Sequence, residues 1–112
     1  MNVIEIVREQ FALAHAHERG RSAGLIAHDG VLRQTVVALL EGGVLSEHNA
    51  PHAASLFCLK GRIRITGSDP VEIAEGELAV LTHEPHGVEA LADSAFLLTT
   101  VTSVPENVKE ES

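Results

Sequence analysis

The chain is poor in the residues that many binding functions require. It has no Trp and no Tyr, and Phe occurs three times in 112 residues, which leaves little for base stacking or sugar platforms. A single cysteine, Cys58, excludes an intrachain disulfide and a Cys-rich zinc module. It fits a reducing compartment, and a cytoplasmic location is expected. Basic residues are scarce: eight Lys and Arg stand against sixteen Asp and Glu, a formal net charge of -8. Phosphate-backbone binding needs clustered cations, and the only cluster is Lys60, Arg62 and Arg64, so no nucleic-acid partner is expected. No apolar run is long enough to cross a bilayer, and Met1–Glu5 lacks the basic flank and apolar stretch of an export signal, so no membrane partner is expected either.

What remains is an ordinary single-domain composition, 45% hydrophobic and 21% charged. Residues 3 to about 18 read as a helix, with Ile4, Val7, Phe11 and Ala14 spaced as one apolar stripe. His15 and His17, two apart near its end, do not share a face and read as solvated groups near the C-terminal dipole. Beyond Arg19-Gly20-Arg21-Ser22 the period changes to that of strands. Ala23–His28, Val31–Leu40, Ala54–Leu59, Ile63–Thr66, Val71–Ile73, Leu78–Leu81, His86–Leu91 and Ala95–Val104 are separated by turn signals such as Asp29-Gly30 and Gly67-Ser68-Asp69-Pro70. Short strands at this spacing predict an all-β sandwich or barrel. All four prolines fall at proposed turns or ends. The predicted organisation is a helix over 1–19, a β-barrel over 20–104 and an acidic, polar tail over 105–112.

Histidine is the chemistry-bearing residue, with seven copies. GVLSEHNAPHAASLFCLKG (Gly43–Gly61) carries His48 and His52, and the segment from Gly76 to Ala92 carries His83 and His86. In a straight strand His48 and His52 would lie about 13 Å apart at about 3.3 Å per residue, too far for one ion. They converge only if the chain bends, and Pro51 is placed to bend it. His86 shares parity with Val88, Ala90 and Ala92 and is the inward candidate of the second segment, while Glu84-Pro85 relaxes the odd step between His83 and His86.

These two segments resemble the two motifs of the cupin family, small jelly-roll barrels of six to eight strands. Gly43, His48 and Gly61 match the first motif, and Gly76-Glu77-Leu78-Ala79-Val80-Leu81 followed by Pro85-His86 matches the second. LRQTVVALLEGG and LADSAFLLTTV look like stretches of small bacterial single-domain cupins of mostly unassigned function. The resemblance covers about residues 20 to 104 and implies an all-β jelly-roll barrel (double-stranded β-helix) with one N-terminal helix. It also departs in two places. Aligned on Gly61, the family's second histidine falls on Ala50 and its glutamate on Ala54, so two of the usual four metal ligands are missing.

A site of His48, His52 and His86 holding one divalent transition metal (Zn, Ni, Fe or Mn) stays open beside a metal-free cavity. The nearest acids are Glu47, Glu84 and Glu89; Glu47 and Glu89 have the parity opposite to His48 and His86, so no general base stands beside such a site. Ala50, Ala54, Leu56, Cys58 and His83 are expected to line the pocket, with Cys58 as a small buried residue whose reactivity would need a neighbouring histidine or cation. On the long strand, one parity turns Arg33 and Thr35 inward and the other turns Gln34 inward. Gln34 is the less costly group to bury and is expected at the pocket. The expected function is binding of a metal ion, a small polar metabolite or both, in a cytoplasmic homodimer that covers exposed strand edges. A metal-dependent dioxygenase or isomerase and a metal-free interaction module are the alternatives, and catalytic residues are not assigned.

Overall fold

A computed structural model describes residues 1–48 and 53–102, leaving aside the side chains of Glu47 and His48. The expected tail at 105–112 lies outside the described residues. Helix α1 (Val3–Ala16) is followed by nine strands among the described residues: β1 (Arg21–Asp29), β2 (Leu32–Leu39), β3 (Val44–His48), β4 (Ala53–Lys60), β5 (Arg62–Thr66), β6 (Val71–Ala74), β7 (Leu78–Leu81), β8 (His86–Ala90) and β9 (Ser94–Val101). The extra strand relative to the sequence reading is β3. Its VLSEH pattern has two apolar residues and no alternation to announce it.

The strands form two antiparallel sheets, a five-stranded one in the order β1-β2-β9-β4-β7 and a four-stranded one in the order β3-β8-β5-β6. Alternation decides what fills the space between them. Val37 and Leu39 of β2, Leu56 and Cys58 of β4 and Phe96 of β9 meet Ile63 and Ile65 of β5, Ile73 of β6, and Val88 and Ala90 of β8 in one buried cluster. The next residues along β2 and β9 face the other way. Val36 and Ala95 pack under Val7 of α1, together with Val3, Ile6, Phe11 and Leu97. The central strands are therefore buried on both faces, one by the second sheet and one by the helix.

Helix α1 begins where Asn2 accepts the Glu5 amide on its side-chain oxygen at 3.0 Å. The stripe it buries is rotated from the expected one: Ile4 is 57% exposed, while Gln10 is buried. The amide of Gln10 accepts a hydrogen bond from the Ser22 hydroxyl on β1. A Cβ at Gly24 would lie 2.6 Å from Gln10 Nε2, so a glycine on β1 admits this polar side chain under the helix.

Two of the connections that carry the chain from one sheet to the other, β4–β5 and β8–β9, interlock. Between β4 and β5 the chain turns at Gly61, with φ 84°. The opposite corner enters β9 at Ser94, which is fully buried. Its Oγ accepts the Arg62 amide at 3.0 Å and lies 2.7 Å from the Ala92 carbonyl and 3.0 Å from the Arg62 carbonyl. A Cβ at position 61 would sit 2.4 Å from both Asp93 O and Ser94 Oγ. Gly61→Ala is therefore expected to lose more than the roughly 1–3 kcal/mol of a left-handed non-glycine residue. Gly30→Ala, in the β1–β2 hairpin at φ 59° and with no heavy atom within 4 Å of the added Cβ, should lose only about 1 kcal/mol. Urea-denaturation midpoints of the two variants against the parent measure the difference.

Candidate functional site

The site grows from the end of β8. Val88 and Ala90 are core residues, while Glu89 between them lies on the outer face, where Arg64 binds it at 2.8 Å and Glu72 at 3.1 Å. His86 has the parity of Val88 and Ala90 and stands half-buried where the strand meets the open end of the sandwich. Its ring is held on both sides: Nδ1 lies 2.9 Å from the Thr66 carbonyl oxygen and Nε2 lies 3.1 Å from Thr82 Oγ1. A carbonyl can only accept, so in the neutral ring Nδ1 carries the proton and Nε2 presents its lone pair towards the Thr82 hydroxyl. This is the orientation a metal-ligating or hydrogen-bond-accepting histidine requires.

The turn after β5 is built around that ring. A Cβ at Gly67 would lie 2.8 Å from His86 Nδ1 and 3.2 Å from its Cε1, so only glycine lets the turn close over the imidazole. Thr66 Oγ1 accepts the Gly87 amide at 3.1 Å. Ser68 donates to the Glu84 carboxylate, whose two oxygens lie at 2.7 and 2.8 Å, joining the β5–β6 turn to the segment before β8. The pocket beside His86 is shared with Ile65, Asp69, Leu81, Thr82 and Glu84 and measures about 130 Å³. Drug-sized ligands occupy about 300–1,000 Å³. The described part of this pocket suits an ion with its waters or a molecule of a few heavy atoms.

β3 brings the second histidine into register. Leu45 stands opposite Val88 and His48 opposite His86, three residues along one strand against two along the other, with the irregularity between Leu45 and His48. Such a bulge resets parity, so alternation counted from Leu45 does not carry to His48. The side chain of His48, and all of Ala50, Pro51 and His52, lie outside the described residues, and with them the expected bend at Pro51. Among the described residues no three of His, Cys, Asp and Glu converge on a point that could hold a metal ion. The described donors alone therefore do not make a complete metal centre.

The other expected pocket residues divide. Ala54 and Leu56 are buried on the inner face of β4, where Ala54 pairs with Leu81. No carboxylate reaches the site from the position where the cupin resemblance implies one. His83 is exposed in the turn between β7 and β8. Gln34 is a correction. Because Val37 and Leu39 belong to the inter-sheet core, Gln34 shares the opposite face with Val36 and donates to Thr99 Oγ1 at 3.2 Å. Arg33 and Thr35 take the interior parity instead, and Arg33, Thr100, Ala54 and Leu81 form one row across the sheet at the His86 end. Both faces of β2 are partly apolar, which is why its parity misled.

Cys58 is buried at the other end of β4, with Sγ 3.5 Å from the Lys60 carbonyl and 3.6 Å from that of Gly61. Burial pushes its thiol above the ordinary range, against the lowering effect of the Lys60 backbone contact, and the charges that bear on it are Glu75, Glu77 and Arg62. His86 is not among them, and the net effect is a raised thiol. Thr66, Gly67, Ser68 and Thr82 were not picked out as site residues from sequence. Gly67 was legible as a turn residue, but its contact with His86 spans nineteen positions and leaves no local signal.

The arrangement is that of a jelly roll of two packed antiparallel sheets with a half-buried histidine at one end. No family model matches the chain, and no curated protein matches it. Solved structures do. One is a conserved protein of unknown function, SPY1581, from Streptococcus pyogenes, with a TM-score of 0.70 and 25% identity over 78% of each chain. A cupin superfamily protein from Desulfitobacterium hafniense gives a TM-score of 0.71 at 17% identity, over 81% of this chain and 88% of that one. KdgF from a Halomonas species gives 0.66 at 22% identity, over 77% and 84%. The chain has the cupin jelly-roll fold.

Two outcomes follow from this geometry. In Gly67→Ala the methyl group should displace the His86 ring, so that long-range nitrogen–proton NMR, which reports a single Nδ1–H tautomer in the parent, reports a mixture in the variant. Cys58 should resist iodoacetamide at neutral pH in the folded protein and react fully once unfolded. Its raised value also fixes a sign. Below the unfolded thiol value, about 8.5, both states are protonated and this group makes stability independent of pH. Above it only the unfolded chain ionises, so the denaturation midpoint should fall as pH rises further.

Proposed function

We propose that the protein is a small ligand-binding cupin of unassigned activity whose site is the mouth at His86. In this reading a divalent transition metal (Zn, Ni, Fe or Mn) is held by His86 Nε2 with His48 and His52. A small polar metabolite carrying an anionic oxygen then occupies the remaining space. The observation that carries the reading is the His86 ring itself, its tautomer fixed by the Thr66 carbonyl and its Nε2 directed to a hydroxyl that can rotate away. The register that sets His48 opposite His86 supports it, and so does Arg33 in the interior row at the same end of the larger sheet. Ala54 supplies no carboxylate, so the ligand set is neutral and the metal keeps its full charge, which favours an anionic oxygen as the further ligand. When bound, the ion would act as a Lewis acid or redox centre.

A homodimer belongs to the same proposal. The edge strand β7 leaves Leu78 60% and Val80 78% exposed, and uncovered apolar edges invite pairing with a second copy.

Metal titration of stripped protein tests the site, using the four ions separately, calorimetry for affinity and the His86 ring signals for location. The expected result is binding of at least one ion with a shift of His86 Nε2, weakened tenfold or more in His86→Ala and in His48→Ala. Absence of binding by all four ions, or equal affinity in the parent and His86→Ala, would overturn it.

A further inference from the structure

A second and larger cavity, about 590 Å³, opens elsewhere in the molecule, between the end of α1, the edge strand β1 and the edge strand β3. Its walls are Leu13 and Ala16 of the helix, Ala23 of β1, Val37 of β2 and Leu45 of β3. That size lies inside the range of small-molecule pockets. Leu13 is 56% exposed at its rim, an apolar side chain on a helix whose core-facing positions are Val7, Gln10 and Ala14.

The polar side chains that line this cavity are Arg21, His17 and Ser22. Arg21 lines it and donates from Nη1 to the Val44 carbonyl at 3.3 Å, a long contact that engages one of the guanidinium's five donors; among the described residues the others have no partner. The ion pairs among the described residues all lie on the outer face of the four-stranded sheet and involve Arg62 and Arg64, so among the described residues no carboxylate pairs with Arg21. His17 also lines the cavity. Its Nδ1 accepts the Arg19 amide at 3.0 Å, so Nε2–H is the donor that its neutral ring has left. The hydroxyl of Ser22 is spent on Gln10.

We propose that this cavity binds a linear aliphatic monocarboxylate, with the hydrocarbon chain against Leu13, Ala23, Val37 and Leu45 and the carboxylate on Arg21. A carboxylate matches the fork of a guanidinium and supplies a counter-charge that Arg21 does not receive from the described residues. One negative charge is the limit. The chain carries a net charge of -8 and the cavity holds one arginine beside a helix C-terminus, so a polyanion would meet more repulsion than attraction. The site is separate from the His86 mouth and does not depend on the function proposed for it.

Octanoate, with octanol as its uncharged counterpart, tests the proposal on the full chain by calorimetry and amide chemical-shift mapping. The expected result is saturable octanoate binding with shifts at the end of α1, β1 and β3. Arg21→Gln should weaken octanoate about tenfold or more, the loss of one charge-assisted contact, and leave octanol unchanged. Leu13→Gln, a rim substitution at an exposed helix position, should weaken both. Circular dichroism of each variant confirms folding. Binding of octanol alone or of neither compound, equal octanoate affinity in Arg21→Gln and the parent, or loss of binding in His86→Ala would overturn it. So would sedimentation showing that self-association masks the cavity, which would make this face a subunit contact.

Discussion

Burial of β9 on both faces is the constraint from which the rest of the structure follows. Phe96 enters the inter-sheet core while Ala95 and Leu97 lie beneath the helix. The strand is paired along its length with β2 on one side and β4 on the other. Removing the helix would expose one apolar face, and removing the second sheet would expose the other. At about 25 cal/mol per Å² of apolar area, neither exposure is tolerable in a domain of this size. The helix is thus a third layer of the core, although it is the one element outside the jelly roll.

That layering explains what could be read from the sequence. Strands with one polar face, such as β5 with its Arg-Ile-Arg-Ile-Thr alternation, were legible because solvent and core impose different residues on alternate positions. β2 was harder. Val36 faces the helix and Val37 the core, so hydrophobicity does not alternate and Gln34 looks as eligible for the interior as Arg33. The helix stripe suffered the same ambiguity in reverse. A buried glutamine replaced Ile4 because Gly24 leaves room on the sheet for its amide, a fact recorded on another element.

The candidate site was legible in its residue types and illegible in its geometry. His86 could be assigned inward from Val88 and Ala90, since alternation holds without interruption along β8. His48 could not, because the bulge in β3 breaks the count between Leu45 and His48. The groups that orient His86 come from Thr66 and Thr82, on either side of it in space, and from Gly67, whose lack of a side chain is its contribution. A glycine in a Gly-Ser-Asp-Pro turn is explained well enough by the turn. Its second role exists only once β5 and β8 are paired.

The departures from the cupin motif acquire a physical meaning in this setting. With alanine at position 54, in the same cross-strand row as Leu81, Thr100 and Arg33, that row carries no carboxylate where a glutamate would have brought negative charge. A neutral histidine set binds a cation less tightly than one with a carboxylate, and it leaves more of the ion's charge available to an anionic partner. The carboxylates that do stand nearby are placed differently: Glu84 is engaged by Ser68, and Glu89 by Arg64 on the far face. Asp69 and Glu84 nevertheless share the pocket beside His86, so the ring's lone pair does not stand clear of the chain's acidic excess.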